Sequence, residues 1–417
     1  MPCEPPLDAP STLCHGMVRG IERTTIFRKD PGAADLGCEA LVTEQDDSHG
    51  GPIAGEKQRR RRTSWPTCRQ AWQTSEGRTM ADRKVIDVHI HIGGTGDSGS
   101  GCRMSHEFIF SFAFAAMLIA LKATPFDLND RKMKELILGA IDGSEKVDHA
   151  VLLALDGVYK NGRYLESQSH LVTPNDYVIG IAKENPRVLL GASVHPYRKR
   201  REMLDETQRC IDHGAVLFKW IPSSQQIDPR DDRCVPFYEL LAKENVPLLC
   251  HTAAELAVPT SDPRTNKLND PKKLKRALDT GVKVIAAHCA TAYLGGVLPD
   301  DTDYFDDLLG MLKTAEKKGW NLYADLSAFC TPTRIRCLKR IDEEIHQGTI
   351  SPGRFLYGSD FPIPIVDINV FKEPLDFKEL LGHVTGQGNA LDRNYTILKA
   401  FGIHESIFTN ASDVLRV

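Results

Sequence analysis

No apolar run in this chain is long enough to cross a bilayer. The longest, Phe108 to Leu121, is interrupted by Ser111 and falls short of the roughly 20 residues that a spanning helix needs. An excess of positive charge is also missing. With a net charge of −4, neither nucleic acid nor a membrane surface is an expected partner. The eleven cysteines are odd in number and irregularly spaced, which argues against a disulfide framework and for reduced thiols in a cytoplasmic protein. No charged start leading into an apolar core and a small-residue cleavage site opens the chain, so no secretory signal is expected. The G-x-G-x-x-G fingerprint is absent after the first candidate strand, and with it the usual sign of dinucleotide binding.

What is present divides near Met80. Residues 1–79 are rich in Pro, Gly, Asp, Glu and Arg and hold no sustained period of 2 or 3.6. Such a composition buries too little apolar surface to offset the entropy of ordering it. We therefore expect a disordered or non-native leader over 1–79, with its basic block Arg59–Arg62 solvated, and a functional domain over 80–417.

From Met80 the chain alternates. Aliphatic or β-branched runs occur at Val85–His91, His149–Asp156, Val188–His195, Ala215–Trp220, Val246–His251, Val282–His288, Leu322–Leu326 and Arg354–Asp360. Between them, apolar residues recur every three or four positions, as in Met133–Ile141, Met203–Ile211 and Phe305–Ala315. Thr173-Pro174 and Asp270-Pro271 read as helix starts, with a capping oxygen before a proline at the first helical position. Eight strands alternating with helices predict parallel βα units that close as a (β/α)₈ TIM barrel. An open doubly wound sheet is the alternative. The first connection, Gly93 to Asp130, is too long for a simple βα loop. It is expected to carry an apolar helix over Phe108–Leu121, as a lid, a pocket wall, a dimer contact or simple core packing. The tail from Leu375 reads as further helices, including Leu391–Phe401.

Polar residues gather at the strand ends. His89 and His91 lie two apart and so share one face of the first strand. Lys219, His251, His288 and Asp360 close the fourth, fifth, sixth and eighth. In a (β/α)₈ barrel all these ends open on one mouth. Buried polar groups there need partners, and imidazoles with a carboxylate suit a divalent ion such as zinc.

Together, Ile86-Asp87-Val88-His89-Ile90-His91, His251-Thr252, Ala287-His288 and Gly358-Ser359-Asp360-Phe361-Pro362 resemble the amidohydrolase superfamily, in particular its amidohydrolase-related (type 2) branch. The resemblance runs from Met80 to about Val417. It implies that His89, His91, His251 and Asp360 bind a metal, most simply Zn²⁺. Asp360 would also move a proton to or from the attacking water. His288 would bind a second metal, polarise the substrate or activate the water. Lys219 admits two versions: carboxylated, it bridges two ions; unmodified, it stands beside one and meets an anionic substrate group or a neighbour of the ion. Weaker expectations attach to His195, Trp220 and Phe361 as substrate contacts, to Tyr293 as an aromatic wall, and to Asp87 as a partner behind the ligands. Strand alternation turns Cys250 away from the site.

The expected activity is metal-dependent hydrolysis of an amide, ester or lactone bond in a small molecule. The alternative is a metal-dependent decarboxylase of an aromatic or unsaturated acid, since the same branch includes such lyases. Some of these follow the strand-six histidine with a Gly-Gly-x-x-Pro-like stretch, whereas this chain reads His288-Cys289-Ala290-Thr291-Ala292-Tyr293. A barrel keeping its metal for stability alone is a third reading. A homodimer is expected only because dimers are the commonest assembly.

Overall fold

Apolar runs bounded by turn residues become eight short strands, seen in a computed structural model that describes residues 83–126, 128–260, 262–293, 302–365 and 388–417. The expected leader lies outside these residues, as do residues 375–387 of the tail. The strands are β1 (Ile86–His91), β2 (His149–Leu153), β3 (Val188–Ala192), β4 (Ala215–Trp220), β5 (Leu248–Cys250), β6 (Val284–Ala286), β7 (Leu322–Asp325) and β8 (Phe355–Leu356). They form one sheet in chain order, every neighbouring pair parallel. β1 meets the β8 segment through Val88 N–H to Tyr357 O at 3.1 Å and a parallel bridge between Ile90 and Phe361. The barrel is the expected one, and the open sheet is set aside.

Period-2 alternation divides the core in two. Val151, Leu153, Leu217, Leu249, Ile285 and Leu356 fill the barrel interior. Their neighbours Leu152, Phe218, Trp220, Leu248 and Cys250 face the helices. Each such buried side chain contributes about 1.5–3 kcal/mol. Ala411, Val414 and Leu415 join the inner cluster, and Val414 O accepts from Lys283 Nζ at 2.9 Å. The last residues thus plug the end of the barrel opposite the mouth.

The outer layer holds α1 (Phe112–Leu121), α2 (Asp130–Asp142), α3 (Asn175–Glu184), α4 (Arg200–Asp212), α5 (Val235–Lys243), α6 (Lys275–Asp279), α7 (Phe305–Lys318), α8 (Cys337–His346) and α9 (Ala390–Ala400). Two expectations need correction. The Phe108–Leu121 run is not one helix. Ser105 Oγ caps a short turn over His106–Ile109, and Ser111 Oγ accepts from Phe114 N–H at 3.1 Å to start α1 anew. Thr173 does not cap α3 either: its hydroxyl donates to Ile92 O at 2.8 Å, tying that helix start to the end of β1. Asp270 does cap, accepting from Lys272 N–H at 2.9 Å at the head of a 3₁₀ turn leading into α6.

The long first connection is pinned where it leaves β1. Asp130 accepts from Gly96 N–H at 2.9 Å and Ser98 N–H at 3.1 Å. Gly94 lies so close that a Cβ there would collide with Asp130 Oδ1. Among the described residues, no helix is long and apolar enough to cross a membrane.

β6 and β8 stop short of the expected bounds, and beyond them the backbone turns left-handed at the residues that matter. After β6, His288, Cys289 and Ala290 have φ of 58°, 47° and 55°, and after β8 Asp360 has φ 65°. Such conformations cost of order 1–3 kcal/mol each for non-glycine residues.

Candidate active site

Those turns swing His288 and Asp360 toward the histidines of β1. Asp360 N–H donates to His89 O at 2.9 Å, which lays its carboxylate beside both imidazoles. Asp360 Oδ1 is 3.1 Å from His91 Nε2 and 3.4 Å from His89 Nε2, and the two Nε2 atoms are 3.1 Å apart. The His251 ring stands 4.9 Å from the His288 ring, which stands 5.0 Å from that of His89. Lys219 Nζ lies 3.0 Å from His89 Nε2. The six strand-end residues therefore meet at one mouth.

Buried acceptors set the tautomers. His89 Nδ1 donates to Asp325 Oδ2 at 2.8 Å, which leaves the lone pair on Nε2. His251 Nδ1 lies 3.3 Å from Glu255 Oε2, and its Nε2 is buried without a hydrogen-bond partner. Ser327 gives its hydroxyl proton to Asp325 Oδ1, so Ser327 Oγ accepts from His288 Nδ1 at 2.8 Å. His288 Nε2 then also carries a lone pair. Carboxylate or hydroxyl partners of this kind orient metal-ligating imidazoles. Asp87, expected behind the ligands, bonds backbone rather than a ring: its Oδ1 accepts from His89 N–H and Ser359 N–H, both at 3.0 Å.

Burial dominates the electrostatics. It drives the pKa values of His89, His251 and His288 below the ordinary imidazole range, with neighbouring cations adding to the effect. The Lys219 ammonium is likewise disfavoured by burial, only partly offset by Asp360, Asp325 and Glu255. For Asp360 burial acts upward, but His89, His91 and Lys219 outweigh it and hold the carboxyl below its usual range. The result favours neutral imidazoles at His89, His251 and His288 and an ionised carboxylate at Asp360.

This donor set fits a divalent metal. His89, His91 and Asp360 each offer one atom within a common reach. A buried Nε2 without a partner, as in His251, costs about 1–3 kcal/mol unless something binds it. A second grouping, His89, His288 and Asp325, is already accounted for by hydrogen bonds among its members and Ser327.

Three expected substrate contacts lie elsewhere. His195 has both ring nitrogens engaged, Nε2 donating to Gln225 O at 2.7 Å and Nδ1 accepting from Tyr197 N–H at 3.0 Å. Trp220 follows inward-facing Lys219 and so points outward. It stacks on Phe237 at 4.8 Å and donates to Val194 O at 2.9 Å. Phe361 is buried in the outer core, its carbonyl accepting from His91 N–H at 2.8 Å. Cys250 is buried in that same layer, as alternation implied.

Four residues of the site escaped the sequence reading. Asp325 carried the signal used for the others, an acid at the end of an apolar strand. Ser327 and Glu255 sit in loops just beyond strand ends. Arg334, buried and stacked 5.1 Å over the Tyr293 ring, had no local signal.

A cavity of about 440 Å³ opens over these groups. His91, Lys219, His251, His288 and Asp360 line its polar part, and Glu255, Tyr293 and Arg334 contribute beside them. The rest of the wall is apolar, and its largest share comes from the insertion before α2, joined by the stretch after β5.

The model of the amidohydrolase family matches residues 86–385. This chain belongs to the amidohydrolase family. The match takes in every strand-end residue named above. Among solved structures, this amidohydrolase is similar to the 5-carboxyvanillate decarboxylase of Sphingomonas paucimobilis, with 12% identity over 81% of this chain and 100% of that one, at a TM-score of 0.46. It is also similar to a probable 2-pyrone-4,6-dicarboxylic acid hydrolase of Acinetobacter baumannii, with citric acid bound. The identity there is 14% over 79% of this chain and 98% of that one, at a TM-score of 0.46. A search of the curated proteins gives no match.

Proposed function

We propose that this amidohydrolase hydrolyses an amide, ester or lactone bond in a small molecule, with one divalent ion held by His89, His91, His251 and Asp360. One observation carries the reading: the Nε2 atoms of His89 and His91 and the ionised Asp360 carboxylate, 3.1–3.4 Å apart, meet at a cavity beside a partnerless His251 Nε2. Zinc suits nitrogen and carboxylate donors, and when bound would lower the pKa of a water and polarise a carbonyl.

The chain's own residues do the rest. Asp360 is the proton carrier, because its carboxylate is ionised and can take a proton from the attacking water, then return it to the leaving group. His288, with its lone pair on Nε2, acts as an acceptor that holds or activates that water. This differs from a histidine donating a hydrogen bond to the oxyanion, which would need the proton that burial disfavours. Lys219 remains an unmodified amine against His89 in this reading. Burial disfavours its ammonium form, which would also favour carboxylation, so the metal count decides. The seven described cysteines are free thiols, which supports the cytoplasmic setting.

A second reading has support from Arg334. A guanidinium on the cavity wall is the group that would grip the carboxylate of an acid substrate, as a decarboxylase requires. Incubation of the metal-loaded protein with lactones, amides, esters and aromatic acids separates the two. Acid release without carbon dioxide is expected, and carbon dioxide release from the aromatic acids would replace hydrolysis by the lyase reading.

A further inference from the structure

Helix α1 is apolar on every side, Phe112-Ala113-Phe114-Ala115-Ala116-Met117-Leu118-Ile119-Ala120-Leu121, yet it sits at the surface of the barrel's mouth. An ordinary surface helix has one apolar stripe and a polar back. Here two sides are in use. Phe114, Leu118 and Leu121 are buried in the outer core, with Phe114 edge-on to Phe108 at 5.7 Å. Phe112, Ala113, Ala116 and Met117 line the cavity instead. The opposite stretch after β5, Leu256 to Val258, lines it too. Phe112 and Leu256 also reach solvent, being 62% and 36% exposed. An apolar lining thus runs from beside the catalytic groups out to the rim.

Resting on the hydrolase reading for the head group, we propose that the cavity takes a substrate whose reacting carbonyl bears a flexible hydrocarbon tail. The tail lies between α1 and the Leu256–Val258 stretch and emerges past Phe112 and Leu256. The two alanines leave room along the helix. Met117, with its unbranched and adaptable side chain, lets the wall follow chains of different length. Charge complementarity plays no part along this wall. Affinity there comes from apolar area removed from water, and each buried methylene tightens binding about fourfold.

The test uses metal-loaded, full-length protein and two homologous series, γ-alkyl lactones for turnover and the matching 3-alkylcyclopentanones, which hold no bond to hydrolyse, for binding. Ketone dissociation constants, measured by calorimetry, are expected to fall about fourfold per added methylene and then level off as the tail passes the rim. Ala116→Phe and, separately, Ala113→Trp should abolish the gain for long tails, read as the ratio of the shortest to the longest ketone's dissociation constant. An affinity independent of tail length in the wild type would overturn the proposal. So would a chain-length gain kept in full by both variants. Binding that follows tail length without turnover of the lactones or of the corresponding alkyl esters and amides would uphold the tail site while defeating the hydrolase reading. Turnover with no dependence on tail length would do the reverse.

Discussion

Replacing Asp325 by Asn removes one oxygen's worth of acceptor from a carboxylate that faces only donors. Asp325 accepts from His89 Nδ1 at 2.8 Å, from His288 N–H at 2.7 Å, from the Ser327 hydroxyl and from Ser327 N–H at 3.2 Å. The amide of Asn has a single acceptor oxygen and two N–H donors. Turned one way, its NH₂ meets His288 N–H and Ser327. Turned the other way, it meets His89 Nδ1, which escapes the clash only by moving its proton to Nε2. That shift would cost the site a lone pair. Hydrogen bonds to a charged group are worth about 1.5–3 kcal/mol each, so loss of one or two costs about 2–5 kcal/mol of stability. Loss of an oriented imidazole lowers metal affinity about 10–100-fold. Urea unfolding of chelator-treated protein reads the first effect, and competition with a chromophoric chelator for zinc reads the second. A variant that matches the wild type in both would refute the tautomer assignment and the role given to Asp325.

Asp360→Asn should lower kcat on a confirmed substrate by about 10²–10⁴-fold at saturating metal, and unchanged turnover would remove the proton from its account. Metal analysis after chelation and reloading should give about one ion per chain, as four protein donors imply; two ions would restore the carboxylated Lys219. Burial pushes the His195 pKa from 6.5 down to about 4, so the unfolded chain binds this proton first and stability falls as pH drops from 6.5 toward 4. The loss from this group approaches roughly 3 kcal/mol, and in His195→Gln the slope over that window should flatten; an undiminished slope would clear His195 of the effect.

Much of this was legible because one rule, side-chain alternation, links the apolar pattern to the direction of each polar strand end. The rule put His89 and His91 on one face and turned Cys250 outside. Applied to Trp220 it would have turned that ring outward as well, yet proximity in sequence suggested a pocket wall. Asp325 was readable by the same criterion as Asp360. His195 illustrates the limit: it ends an apolar run like the ligands do, but a carbonyl from the Pro222–Gln225 turn and the Tyr197 amide satisfy it, and neither contact follows from local sequence. Thr173 and Ser111 failed in a related way, because a hydroxyl's partner depends on which carbonyl or amide the fold brings near. Glu255 and Arg334 enter from loops where no period constrains direction.

The barrel has a weakest stave, and the site straddles it. β8 contributes only Phe355 and Leu356 to the sheet, and the join to β1 rests on a handful of amides, with Asp87 stitching His89 to Ser359. His91 and Asp360 face each other across that join although 269 residues separate them along the chain. Anything gripped by both acts as a hoop, drawing together the first and last staves. Occupancy of the site should therefore be written in the hydrogen-exchange record of Val88, His91 and Asp360 amides, while the wall between β2 and β3, which supplies none of the ligands, exchanges at the same pace whether the hoop is on or off.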